Sequence, residues 1–305
     1  MNKSPGQQIT DMLLEHPEKR RFDIAMDRKA ILVYPSTATT VPRVTPGPSL
    51  PLRLRDLIPG GTITGDGIIY VRETSITNSV VAPIAPGGVK PQADMTYDVQ
   101  IQPAVTIPAY MKLPAQYWED FAMFQSWIDN RVLYSLSLAE ENQLLNGNGV
   151  APNLQGLMLV AIATTSVAGS GGAALLDNVA AGIGALYSRD YTADGIVVNP
   201  TDWGNALNAK VAGGGYLLGP PALVENPARL WGLPVVISKA MASGKYLVGQ
   251  FNPFSQIFDR DTASVEVADQ NQDDFIRNLV AVRAEERIAF AIYQPGAFAK
   301  GTFTP

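Results

Sequence analysis

The chain reads as an α+β protein in which long strands and one long helix are segregated from a region of short alternating elements. Three observations predict this class. Residues 68–105 form two stretches of β-formers around a Pro/Gly-rich tip. Residues 114–147 carry the apolar spacing of a single long helix. Residues 263–293 return to strand-forming text, with no regular strand–helix–strand repeat and no internal repeat of any kind. A length of 305 residues suits one large domain or two modest ones.

The first 50 residues do not look like a packed domain. Asp11 to Lys29 is charged and predicts at most a short helix, broken at Pro17. From Tyr34 the text PSTATTVPRVTPGPSLP is rich in Pro, Thr and Ser. Proline fixes φ and removes a backbone donor, so this stretch is either an extended arm or a tail without fixed structure.

Ile68, Tyr70 and Arg72 alternate with Ile69, Val71 and Glu73 after a Gly65-Asp66-Gly67 turn, and a second strand runs through Tyr97, Val99 and Ile101 to Val105. The tip between them is APIAPGGVKP, residues 82–91. A two-stranded hairpin is marginal alone in water, so its support is expected from a neighbouring subunit. Next, Tyr117, Phe121, Phe124, Ile128 and Val132 recur at spacings of four and three, one helical face. Glu119, Asp120, Asp129, Arg131, Glu140 and Glu141 are assigned to the rest of its circumference. Asn146-Gly147-Asn148-Gly149 ends it with left-handed capping residues.

Further on, the pattern predicts a helix over 177–187, a buried strand at 195–199 and a helix through Lys210 capped by Thr201 or Asp202. A glycine loop at 213–216 and a strand at 233–238 follow. Trp203 and Trp231 are expected as core anchors, and 263–268 and 275–293 as strands.

Composition limits the function. Charged residues make up 17% of the chain, against about 25% in ordinary soluble domains, which predicts surface covered by something other than water. A net charge of −5 argues against a nucleic-acid reader. With no cysteine there is no disulfide, thiol nucleophile or cysteine metal site. His16, the single histidine, lies in the arm, which removes Ser–His and His–metal chemistry. No nucleophile elbow or dinucleotide fingerprint occurs, and Gly213-Gly214-Gly215 lacks the Lys-Ser/Thr of a phosphate loop. The acidic group Asp269, Asp273, Asp274 has the chemistry to bind a cation but reads first as a solvated turn. No cofactor and no metal are expected, and neither a signal peptide nor a membrane span.

Several segments taken in order resemble the Hong Kong 97 family of tailed-phage major capsid proteins. They are LRDLIPGG (54–61), IIYVRET (68–74), VKPQADMTYD (89–98), SWIDNRVLYSLSLAEENQLLNGNG (126–149), GIVVNPTDW (195–203), WGLPVVISKA (231–240), FDRDTASVEV (258–267), DFIRNLVAVRAEERIAFAIYQP (274–295) and FAKGTF (298–303). The resemblance implies a layout in parts. They are an N-terminal arm (1–50), an E-loop region (51–108, tip about 82–91), a P-domain with a spine helix (109–150 and 258–290), an A-domain (151–257) and a C-terminal return to it (291–305). It implies a structural protein that self-assembles into hexamers and pentamers of an icosahedral shell, built in the bacterial host cytoplasm. Packaged double-stranded DNA would be enclosed without sequence-specific contact. The partners it implies are a scaffold, a maturation protease, a portal protein and a decoration protein. Nothing before Asp11 resembles the helical scaffolding segment of many relatives, so scaffolding is expected as a separate protein or an already removed piece. The glycine loop is implied to face the capsomer axis, and Glu286 and Arg287 to form salt bridges between subunits.

The resemblance also implies a reaction. In the family's prototype an E-loop lysine forms an isopeptide bond with an asparagine of a neighbouring subunit, assisted by a glutamate. The matching residues are Lys90 of Val-Lys-Pro, Asn278 of Phe-Ile-Arg-Asn and Glu285, the first glutamate of Glu-Glu-Arg. An ammonium has no lone pair, so Lys90 must first lose a proton. Apolar surroundings, for which Val81, Ile84 and Val89 are candidates, favour that neutral form. Glu285 is implied as the general base. The tip Ala85-Pro86-Gly87-Gly88 departs from the prototype's, which puts the register of Lys90 in question. Competing readings are an encapsulin-type nanocompartment shell protein, a conventional enzyme and a virion decoration protein. The arm and the Val-Lys-Pro hairpin favour the phage shell over the first, and the long helix disfavours the last.

Overall fold

A computed structural model describes residues 52–77, 87–88, 94–115, 122–211, 213–219, 228–268 and 274–304. The arm and its predicted helix, Lys90 with most of the hairpin tip, Tyr117 and Phe121, and Asp269 and Asp273 lie outside these residues. The description that follows concerns the unit Val44–Pro305.

Helix α1 (Leu54–Leu57) and strand β1 (Gly60–Thr62) lead into the hairpin β2 (Gly67–Thr77) and β3 (Asp94–Pro103). The second β stretch does not run on unbroken to Val105. It stops at Pro103, and β4 (Val105–Pro114) starts a different sheet. Between them Ala104 N–H bonds to the Asp66 carbonyl, fixing the corner at the hairpin's base. Helix α2 (Ala122–Asn146) is the long helix, about 37 Å at 1.5 Å per residue.

Three sheets divide the strands. β10 (Ser255–Ala268) and β11 (Leu279–Ile292) form a long antiparallel pair, extended by β4 on one side and by β1, parallel, on the other. On β11, Val280, Val282, Ala284, Glu286 and Ile288 alternate inward. That face packs with the stripe Val132, Leu136 and Leu144 of α2 in a continuous apolar core. From Ile288 to Ile292 every residue is buried, as expected where both faces of a strand are covered.

A second, six-stranded sheet has the order β5 (Ile162–Ala163), β12 (Phe298–Thr302), β9 (Lys245–Gly249), β6 (Gly195–Val198), β8 (Leu233–Ile237) and β7 (Arg229–Leu230). Residues Leu157–Val160, in the apolar run before β5, form the short helix α3. Helix α4 (Gly171–Tyr187) covers this sheet and begins six residues earlier than the apolar pattern indicates. The reason is packing. A Cβ on Gly172 would lie 2.2 Å from the Asn205 carbonyl oxygen, so this glycine lets α4 approach helix α5 (Pro200–Leu207).

The cap of α5 is neither Thr201 nor Asp202. Asn199 occupies that position, its side-chain oxygen accepting from Thr201 N–H at 2.8 Å, with Pro200 opening the first turn. Asp202 is instead buried and accepts from Ser243 and Gly244. Trp203 is a core anchor as expected, but Trp231 is 62% exposed. Trp231 and Gly232 both have positive φ and join β7 to β8 as a two-residue hairpin turn, which points the indole outward.

Candidate functional site

Of the three implied cross-linking residues, Asn278 and Glu285 are described. Asn278 is not a strand residue. Residues Asp274–Arg277 form a helical turn, α6, and Asn278 follows it in the left-handed region (φ 57°) before β11 begins. Asparagine tolerates that conformation better than most residues, because its short polar side chain bonds locally. The turn is fastened by its backbone: the Asn278 carbonyl accepts from Ala115 N–H at 2.7 Å. Asp274 is fully buried and bonded to Lys112 at 2.7 Å, so it is not part of a solvated turn. The Asn278 side chain is left exposed, next to Phe275 and Ile276, which are 80% and 86% exposed.

Glu285 sits half-exposed on β11, opposite Ser264 of β10 and Pro108 of the edge strand β4. Arg283 Nη1 lies 3.2 Å from it and also pairs with Glu266. Seven residues of strand separate Asn278 from Glu285, about 23 Å at 3.3 Å per residue. One chain therefore does not bring its own two residues together. Any site containing both must draw them from different chains.

The hairpin presents a second unfinished surface. On one face Tyr70 and Arg72 anchor it: Ile292 N–H donates to the Tyr70 hydroxyl, Arg72 donates to the Ile292 carbonyl, and Tyr70 meets Tyr293 edge-on at 5.3 Å. On the other face the cross-strand pairs Ile69–Ile101 and Val71–Val99, with Tyr97, are exposed. Alternation makes such a stripe legible, but sequence does not say which face is covered.

Sequence reading missed a charged cluster inside the core. Continuing the apolar face of α2 by fours from Val132 passes through Leu136, Glu140 and Leu144. Glu140 and Glu141, assigned above to the polar side, are both 4% exposed. Glu141 accepts from the Leu54 backbone N–H at the start of α1. Arg55 of α1 binds Glu140 through one nitrogen and both oxygens of Asp259, each at 2.6 Å, through the other. Glu286 interrupts the inward face of β11 at the same level. Burial first, and then the charge of Glu140, push its carboxyl up to about 7. Arg287, beside it, reaches Asp66 of the same chain at 3.8 Å.

Neither surface nor cluster has the arrangement of a turnover site, and among the described residues no group of side chains is placed to hold a metal ion. Also among them, no helix is long and apolar enough to cross a membrane. The described residues thus form an α+β body with a long helix, a hairpin with one exposed apolar face and an exposed asparagine turn. Comparison with known proteins agrees. The model of the phage capsid family matches residues 42–303. The major capsid protein of Enterobacteria phage HK97 is 39% identical over 268 residues, which are 86% of this chain and 69% of that one.

Among solved structures, the capsid of a native GTA particle superposes with a TM-score of 0.64 at 20% identity, covering 90% of this chain and 96% of that one. A structure of phage G major capsid and decoration proteins does so at 0.69 and 9% identity, covering 93% and 100%. At these identities the structures establish the fold. The chain belongs to the phage capsid family. It is a major capsid protein, a structural component of the phage shell and not an enzyme, and the encapsulin reading is not favoured.

Proposed function

We propose that this capsid protein forms hexameric and pentameric capsomers of an icosahedral head around double-stranded DNA, and that neighbouring chains weld themselves together through Lys90, Asn278 and Glu285. The family match over residues 42–303 carries the shell role. Assembly belongs in the host cytoplasm, with a scaffold, a maturation protease and a portal as partners and a decoration protein as a further one. The regions named in the sequence supply the parts: hairpin 51–108 as E-loop, α2 with β10 and β11 as P-domain, and the six-stranded sheet as A-domain. The Gly213–Gly215 loop, closed by the Lys210–Tyr216 bridge, is then a subunit contact at the capsomer axis.

The carrying observation for the weld is the exposed Asn278 turn beside Phe275 and Ile276. An apolar rim there favours the neutral amine of an incoming Lys90. The amine attacks the Asn278 carboxamide carbon, a new C–N bond forms and the old one breaks. Ammonia leaves, carrying a proton that Glu285 takes from the lysine nitrogen and passes on. The strand length between Asn278 and Glu285 makes the site one shared among chains. Boiling purified particles in detergent tests it: wild type should run as a ladder above the 32.7 kDa monomer. Lys90→Arg, Asn278→Ala and Glu285→Gln should each collapse the ladder to one band. A monomer band alone from wild-type particles would refute the weld and leave the shell role standing.

A further inference from the structure

The cluster between α1, α2, β10 and β11 holds more acids, Glu140, Glu141, Asp259 and Glu286, than cations, Arg53 and Arg55. A half-open cavity of about 240 Å³ lies there, lined by Arg53, Arg55, Ser137, Glu140, Asp259 and Glu286 among others. Arg55 is consumed: its two terminal nitrogens hold Glu140 and Asp259. Arg53 lines the cavity but gives Glu286 no hydrogen bond, and β4 contributes only apolar Ile107 opposite it. Glu286 is 6% exposed, and its Oε1 is buried with no hydrogen-bond partner. An ionised carboxylate in that position is costly unless a donor reaches it. Among the described residues no group is placed to hold a metal ion, and a nitrogen cation is a partner that a buried carboxylate fits.

We propose that this pocket is a receptor for one lysine or arginine side chain from a second copy of this chain, which enters past exposed Thr262 and Ala263 and pairs with Glu286 in the assembled shell. The proposal rests on the shell role, in which every chain abuts copies of itself. It uses charge complementarity, a cavity wide enough for an ammonium or guanidinium, and a carboxylate in its lining, Glu286, that no described side chain of its own chain hydrogen-bonds. The sequence expectation that Glu286 bridges subunits thus acquires a specific seat, while Arg287 is already engaged with Asp66 of its own chain.

The variant Glu286→Gln separates two states with opposite signs. In the unassembled chain it removes an unpaired buried charge facing Glu140 and Asp259, so the melting temperature should rise by a few degrees. In particles it removes the acceptor of a desolvated ion pair, so subunit release should quicken by at least about tenfold. A shell map should place a neighbour's lysine or arginine nitrogen within hydrogen-bond distance of Glu286. A second variant, Thr262→Arg, supplies a guanidinium from the pocket's own mouth. It should stabilise the unassembled chain and lose that gain when combined with Glu286→Gln. The same sign of effect for Glu286→Gln in both states would overturn the proposal, as would no gain from Thr262→Arg. A wild-type melting temperature raised equally by millimolar guanidinium in chain and particle would overturn it too, by showing a free cation as the occupant. Whether particles form at all is read independently by electron microscopy, so failure of the shell role is distinguishable.

Discussion

Strand β11 and the hairpin β2–β3 are written with the same β-branched vocabulary and end in opposite environments. On β11 the inward residues Val282, Ala284 and Ile288 share a core with α2, and the last five residues are all buried. On the hairpin Ile69, Val71, Val99 and Ile101 form an equally apolar stripe that is exposed among the described residues. A solvent-facing apolar surface of this kind marks an interaction site. The difference lies in what packs on each: α2 and two flanking strands adjoin β11, whereas among the described residues the hairpin is held at its base, by Tyr293, Ile292 and Gln155. Among the described residues one region is finished and the other is left open.

The largest stability loss should follow from breaking the finished region. Phe290→Ala opens a cavity in the covered end of β11 and should cost the unassembled chain about 3–5 kcal/mol in denaturant unfolding. A loss below 1 kcal/mol would mean that this end is not tightly packed.

Glu286 sharpens the comparison, because it is the flaw in the finished region. Its folded pKa of about 7 lies above the ordinary 4.5, so the folded chain holds the proton longer than the unfolded one. Stability of the unassembled chain should be fullest below about pH 4.5 as far as this group is concerned. It should then fall by about 3 kcal/mol as the pH rises to about 7, and level off. Burial raises Glu140, Glu141 and Asp194 too, so their contributions share this sign. Urea titrations of wild type and Glu286→Gln across that window check it, with the variant expected to show the shallower fall. Equal slopes would contradict the assignment.

A smaller effect is expected at α5. Asn199→Ala removes the cap bond to Thr201 and the bond to the Met241 carbonyl, and should cost about 1–2 kcal/mol in thermal unfolding. Substituting Thr201, by contrast, should change little.

How much of this was legible follows the same division. The hairpin, the long helix and the paired terminal strands are periodic over many residues and are present, with bounds that differ: the strand read as 263–268 starts at Ser255, and the one read from 275 starts at Leu279. Readings failed where one residue type serves two purposes. Glu140 has the chemistry of a polar face but the spacing of the apolar one, and only the partner Arg55, 85 residues away, reconciles them. The helix read as 177–187 omits the first turn of α4, because the close helix contact at Gly172 cannot be seen in one sequence. Asn278 read as strand because an apolar run hides a single left-handed residue. Trp231 read as core because size suggests burial, while its two-residue turn turns it outward. Asn278 and Glu285 were named from the resemblance, but the span of strand between them, and hence the need for different chains, came from the fold.

The smallest effect on the chain should be the largest on the particle. Replacing Val71 and Val99 with lysine charges the uncovered hairpin stripe without touching either core. Such exposed substitutions should shift subunit stability by no more than about 0.5 kcal/mol each. Electron microscopy of this double variant, alongside its melting curve, addresses the incomplete-subunit account most directly. The account predicts a chain that melts like wild type and forms no closed shells. Normal shells from that chain would contradict it.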